Sequence, residues 1–218
     1  MSVPKFAGQP TGFVVDALAR MGCAGWIADL LPRSSTAKFT GPARTLRFAS
    51  PRKVSHPVKT SMYAVMRSLS PGEVLVVATG GAPCWFMGEN MIHEALYSGL
   101  GAVVTDGRIR DSAEIEDIAI PVFSAGVSLV PPLANFVIAE LDGPVSVGGA
   151  SISKGDILHG DADGVVVVAR ELQDEVERIV AELAGIEAMQ EHAIRDRVPL
   201  PQLEAILARK KGGQPRQP

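Results

Sequence analysis

A run of five apolar residues, Val74-Leu75-Val76-Val77-Ala78, stops at Thr79-Gly80-Gly81. Such a run, bounded by glycines, reads as a strand buried on both faces. After a loop rich in small residues, Glu89–Tyr97 reads as a helix with Met91, Ile92, Ala95 and Leu96 on one side, closed by Ser98-Gly99. A second apolar run over Gly101–Thr105 follows. Strand, loop, helix and strand in this order require a parallel pair joined by a right-handed crossover. A short helix over Ser112–Ile118 and a strand at Val122-Phe123 repeat the unit, so the fold class is α/β.

On either side of this unit the reading is simpler. A first helix follows Pro10-Thr11-Gly12, with Phe13, Val14, Leu18 and Met21 on one face and Gly22 as its stop. Beyond Ala125 come short β-like segments at Val145–Val147, Ser151-Ile152 and Val165–Val168. The closing helix is the clearest, since Leu172, Val176, Ile179, Val180, Leu183, Ile186 and Met189 hold one stripe. A last short helix spans Pro201–Ala208. With 218 residues, 46% of them hydrophobic, residues 1–209 read as one domain and 210–218 as a disordered tail. The net charge of −3 argues against a dedicated nucleic-acid binder, whose footprint is a basic excess. No apolar run approaches the roughly 20 residues that cross a bilayer. The first residues lack a secretory pattern, so the cytoplasm is the expected compartment. Cys23 and Cys84 have no metal-ligand spacing and read as structural thiols.

In parallel α/β sheets ligands bind beyond the carboxyl ends of the strands, and two such ends are visible. The first, Gly80–Asn90, leads into a helix whose first amides, at Gly88, Glu89, Asn90 and Met91, suit a carboxylate or phosphate; an ordinary strand-to-helix turn has the same appearance. The second is Asp106-Gly107-Arg108-Ile109-Arg110-Asp111, directly after a strand. Arg grips a carboxylate through its planar fork, and Asp is a hard oxygen ligand suited to a water-rich Mg²⁺ or Mn²⁺. A surface loop with a local ion pair would look similar. Asp161 and Asp163 before Gly164 lack the later acidic ligand of a calcium loop and read as a turn. His93, four residues after Glu89, reads as a helix-surface pair.

The run Gly101–Asp111, with Ile120-Pro121-Val122-Phe123-Ser124-Ala125-Gly126 after it, resembles the RraA-like family, which includes class II 4-hydroxy-4-methyl-2-oxoglutarate and 4-carboxy-4-hydroxy-2-oxoadipate aldolases. Val15–Leu18, Phe39–Thr45, Gly155-Asp156 and Asp161–Val168 match in the same order, and the likeness runs from about residue 11 to 195. The resemblance implies an α/β/α sandwich, similar to phosphohistidine-swivelling domains, assembled as a homotrimer or hexamer with sites at subunit interfaces. It implies that Arg110 contacts the pyruvyl part of a 2-oxo acid and that Asp111 holds Mg²⁺ or Mn²⁺. It also places substrate oxygens on the amides of Gly88 to Met91, and a water-positioning carboxylate on Glu89, where Asp is usual. A carboxylate from a neighbour's C-terminal helix would be Glu187, beside the buried stripe, or else Glu191.

The resemblance implies a metal-dependent pyruvate aldolase, cleaving a 4-hydroxy-2-oxo acid such as 4-hydroxy-4-methyl-2-oxoglutarate, with an oxaloacetate decarboxylase side activity. For a Schiff-base mechanism Lys53 and Lys59 are available in principle, but neither closes a strand as the Arg-Asp pair does. The alternatives are a non-catalytic regulator of RNA-processing enzymes, also within this family, and a lyase for another 2-oxo acid. The regulator branch commonly lacks the Asp at position 111, which this chain keeps. Gly80-Gly81, where Gly-Asp is common, and the bulky Cys84-Trp85-Phe86-Met87 depart from the family pattern and bear on substrate shape.

Overall fold

The computed structural model describes residues 3–133 and 135–210. The first half of the chain comprises α1 (Thr11–Arg20), β1 (Trp26–Ile27), β2 (Leu31–Pro32), β3 (Phe39–Ala49), α2 (Met62–Ser68), β4 (Val74–Ala78), β5 (Trp85–Met87), α3 (Glu89–Tyr97), β6 (Ala102–Thr105) and β7 (Arg108–Ile109). After these come α4 (Ser112–Glu116), β8 (Val122–Ser124), β9 (Val137–Leu141), β10 (Val145–Val147), β11 (Ala150–Ile152), β12 (Ile157–Asp161), β13 (Gly164–Val168), α5 (Gln173–Arg195) and α6 (Leu200–Lys210). Lys210, assigned to the tail on composition, closes α6; the rest of that tail lies outside the described residues.

Nine strands form one mixed sheet in the order β1-β13-β12-β3-β4-β6-β8-β2, with β9 also pairing with β3. β3, β4, β6 and β8 are parallel neighbours, and the other pairs are antiparallel. The crossover visible in the sequence is therefore the centre of the parallel half. All five residues of β4 are buried, as its unbroken apolar run requires. Leu75 and Val77 pack with Met66, Ile92 and Ile115 of α2, α3 and α4. Val74 and Val76 meet Phe123 and the β10–β11 hairpin residues Val147 and Ile152 on the other face.

The antiparallel half divides its side chains in the same way. Ile157, Val166 and Val168 turn to Val14 and Leu18 of α1 and to Val176, Val180 and Leu183 of α5. Leu158, Val165 and Val167 join the cluster of Val74 and Val76. The sheet thus curls around one inner core, and helices cover the outside of both halves, which is the expected α/β/α arrangement.

The 11-residue β3 at the middle of the sheet was not apparent as a strand from periodicity. Its inward residues include Gly41 and Ala43, and an added Cβ at Gly41 would run into the backbone carbonyl of Gly72. A close backbone approach takes the place of the large apolar side chains that betray a strand.

The N-terminal segment is latched to β12 by a buried histidine. His159 Nε2 lies 2.8 Å from the Gln9 carbonyl, which only accepts, so Nε2 carries the proton and Nδ1 accepts from Thr40 Oγ1 at 2.7 Å. Burial holds the His159 pKa below its ordinary 6.5, opposed by the Gln9 carbonyl and the charge of Asp161. Since the unfolded chain then binds the proton more readily, stability is complete above about pH 6.5 and falls as pH drops towards the folded-state pKa, by up to about 1.4 kcal/mol per pH unit. Denaturant melts between pH 8 and 5 should show this loss in the native protein and a flatter profile in His159→Gln. The depressed pKa of Asp161, which accepts hydrogen bonds from Thr11 and Asp163, adds a separate loss only as pH falls below about 3.8.

Candidate active site

The glycine loop after β4 does hold a carboxylate, but one from its own chain. Asp106 accepts hydrogen bonds from Thr79 N at 2.6 Å, Thr79 Oγ1 at 2.8 Å and Gly81 N at 3.0 Å, with Gly80 and Gly81 both at φ 70°. One of the four charges clustered by sequence is therefore spent on tying the end of β6 to the end of β4. The loop's next stretch, β5, pairs in parallel with β7, with Trp85 opposite Arg108 and Met87 opposite Ile109. Met87 and Ile109 are fully buried. Arg108 and Arg110 flank the buried Ile109 and so share the opposite face, while Trp85, separated from Met87 by a register shift in this pair, stacks there against Arg110.

Arg110 and Asp111 come together beside the start of α3. The Arg110 guanidinium sits 4.2 Å over the Trp85 ring, and its Nε lies 3.4 Å from Asp111 Oδ2. Cation–π contact of this kind contributes about 0.5–1 kcal/mol at exposed sites, and it fixes the plane of the fork. Asp111 stands in the left-handed region (φ 59°, ψ 45°), which Asp tolerates better than most residues. There its Oδ2 accepts the Glu89 amide at 3.1 Å, while Oδ1 has no partner among the described residues. Gly88 makes the approach possible, because an added Cβ would collide with Asp111 Oδ2 and crowd the Arg110 side chain.

The other expected site residues are placed less uniformly. Of the amides expected to face substrate, Glu89 N is used by Asp111 and Met91 N donates to Gly88 O at 3.0 Å. Asn90 follows Glu89 in the first turn of α3. Glu89 Oε1 lies 3.6 Å from His93 Nε2, the helix pair expected from spacing. Glu187 is half-buried on α5, with Lys210 Nζ 2.8 Å from its Oε2, and Glu191 is exposed. Within one chain, neither is brought into the Arg110–Asp111 cluster. Lys53 and Lys59 are exposed on the connection from β3 to α2, without the burial that activates a Schiff-base lysine. Trp85 as the seat of Arg110 is the site residue that spacing missed. The bulky Cys84-Trp85-Phe86-Met87 run, set in a loop of small residues, was the available signal.

Among the described residues no three His, Cys, Asp or Glu side chains gather as a metal cage. The donor set is one carboxylate oxygen, Asp111 Oδ1, open to one side. This fits a hard ion that keeps most of its water, Mg²⁺ or Mn²⁺, and does not fit zinc. No helix among them is long and apolar enough to cross a membrane.

The profile of the RraA-like family (aldolase/RraA) matches residues 11–167. A protein of Halalkalibacterium halodurans named "Putative 4-hydroxy-4-methyl-2-oxoglutarate aldolase" is 29% identical over 90% of each chain. The crystal structure of an uncharacterized protein from Pseudomonas syringae pv. tomato superposes with a TM-score of 0.79 at 24% identity, covering 92% of this chain and 94% of that one. That of Streptomyces coelicolor RraAS2, described as an unusual member of the RNase ES inhibitor RraA protein family, gives 0.75 at 26% identity over 89% and 94%. With its α/β/α fold and its Asp-Gly-x-x-Arg-Asp strand end in place, this chain belongs to the RraA-like family.

Proposed function

We propose that the protein is a divalent-metal-dependent pyruvate aldolase, cleaving a 4-hydroxy-2-oxo acid such as 4-hydroxy-4-methyl-2-oxoglutarate to pyruvate and a second carbonyl compound. The observation that carries this reading is the Arg110–Asp111 pair, with the guanidinium seated on Trp85 and Asp111 Oδ1 left open. A divalent ion held at Asp111 with water supplies Lewis-acid polarisation of the 2-oxo group. Arg110 binds the substrate carboxylate and faces the 2-oxo oxygen, where negative charge develops as the C3–C4 bond breaks. Its Trp85 seat holds that donor in place before the reaction, so little reorganisation is needed in the transition state. Glu89, next to His93, takes the 4-hydroxyl proton through water. Oxaloacetate loses CO₂ to leave the same pyruvate enolate, so its decarboxylation accompanies the main activity.

The exposed apolar segment with Val127, Leu129, Val130 and Leu133 lies beside the site, since Val130 O accepts the Trp85 amide. It suits a contact between copies in a homotrimer or hexamer, through which Glu187 or Glu191 of a neighbour would approach. The test is pyruvate release from 4-hydroxy-4-methyl-2-oxoglutarate and from oxaloacetate. Turnover with Mg²⁺ or Mn²⁺ is expected to disappear with chelator and to fall about 10²-fold or more in Asp111→Asn, the scale of a lost electrostatic contact in the transition state. A folded, metal-loaded protein that turns over neither compound would overturn the aldolase reading in favour of a regulatory role.

A further inference from the structure

Glu89 is held at both ends. Its amide donates to Asp111 Oδ2 at 3.1 Å, and its Oε1 lies 3.6 Å from Nε2 of His93, one turn further along α3. The Glu89 side chain is partly exposed, and a glutamate in a first helical turn has several torsions free to rotate, so the helix alone does not choose its rotamer. Among the described residues His93 is the one side chain within ion-pair distance of this carboxylate.

The imidazole is built to make that choice. Its ring stacks on Tyr97, with centroids 5.7 Å apart and planes 11° from parallel, which fixes the plane of the ring. Nδ1 is buried and has no hydrogen-bond partner among the described residues. A proton on Nδ1 would be a buried donor without an acceptor, so the ring carries its proton on Nε2, the nitrogen that faces Glu89. An ordinary surface pair leaves both ring nitrogens to solvent. Here one is sealed and the other is turned to the carboxylate, so His93 offers a single donor in a single direction. The 3.6 Å separation exceeds a hydrogen bond, and a small turn of the Glu89 side chain closes it, as catalytic contacts tighten when substrate binds.

We propose that His93 is a positioning residue for aldol cleavage, its Nε2–H holding the Glu89 carboxylate against the water that carries away the 4-hydroxyl proton. This rests on the aldolase reading, and it requires the two reactions of the site to separate. In cleavage the hydroxyl proton passes through water to Glu89, the C4–O bond becomes a carbonyl, the C3–C4 electron pair stays with pyruvate as its enolate, and C3 then takes a proton from solvent. In oxaloacetate the same electron pair is released by loss of CO₂, so no hydroxyl proton has to be removed.

The experiment measures kcat and KM for 4-hydroxy-4-methyl-2-oxoglutarate cleavage and for oxaloacetate decarboxylation, with Mg²⁺ present, in the native protein, His93→Phe and His93→Gln. Phe keeps a ring on Tyr97 and removes both nitrogens, the unpaired one included, so Tm should hold. Its cleavage kcat is expected to fall about 10- to 100-fold, part of the worth of a well-placed base, with KM and the decarboxylation rate little changed. His93→Leu, without ring or donor, should show the same split, and His93→Gln, which restores an N–H donor, should recover most of the loss. Unchanged cleavage in His93→Phe, an equal loss of both reactions, or a Gln variant no better than Phe overturns the positioning role and leaves the aldolase reading standing. Absence of cleavage by the native protein overturns the aldolase reading and this proposal with it.

Discussion

Arg110→Ala is expected to reduce kcat/KM for pyruvate release by about 10²–10³-fold, the range seen when one donor to a developing oxyanion is removed. Arg110 is exposed and its partners are Trp85 and Asp111, so folding should hardly register the change. Surface substitutions of this type shift stability by about 0.5 kcal/mol or less, which for a chain of this size moves Tm by about 2 °C at most. Arg110→Lys should recover little of the activity, because an ammonium offers a point charge without the planar fork that both grips a carboxylate and stacks on indole. Steady-state kinetics on the two variants, with melting curves beside them, separates these effects. Full activity in Arg110→Ala would remove the residue from the chemistry.

Gly88→Ala should be nearly as damaging to turnover, for a reason confined to one atom. The backbone at Gly88 is extended (φ −137°, ψ −177°), a conformation open to any residue, so the substitution brings no conformational strain. The new methyl instead collides with Asp111 Oδ2 and displaces the carboxylate that receives the Glu89 amide. Misplacing a positioned group by about 1 Å can cost about 10²-fold in rate. The expected result is therefore a loss of that order, with a raised Mg²⁺ requirement and an almost unchanged Tm. Gly41→Ala is the useful contrast. There the methyl meets the Gly72 main-chain carbonyl between β3 and the start of β4, and the loss should appear in folding first. Wild-type metal dependence in Gly88→Ala would dissociate Asp111 from the ion.

The legible parts of the chain were those where one residue type repeats locally. The apolar run of β4, the α5 stripe from Val176 to Ile186 and the bounds of α3 all depend on neighbours in sequence, and the structure reproduces them, while Leu172 precedes α5 and Met189, expected on the same stripe, is exposed. β3 was hidden because its buried positions include small residues whose role, close backbone approach, leaves no periodic signal. At the site, Arg110 and Asp111 stood out as a charged strand end, and the structure brings them together. What spacing could not supply was long-range. The Trp85 seat needs the pairing of two strands too short to show alternation, and the need for glycine at position 88 exists only because Asp111 folds back on it.

The small β5–β7 patch also bears on how such a chain can diverge. Its register is written in main-chain hydrogen bonds and in two inward side chains, Met87 and Ile109. The outward residues at 85 and 108 contribute little to holding it. They can be exchanged without loss of the scaffold, as a keyboard keeps its frame when the keys are relabelled. Single replacements at these two positions can therefore alter the surface beside Arg110 and Asp111 in a chain that still folds.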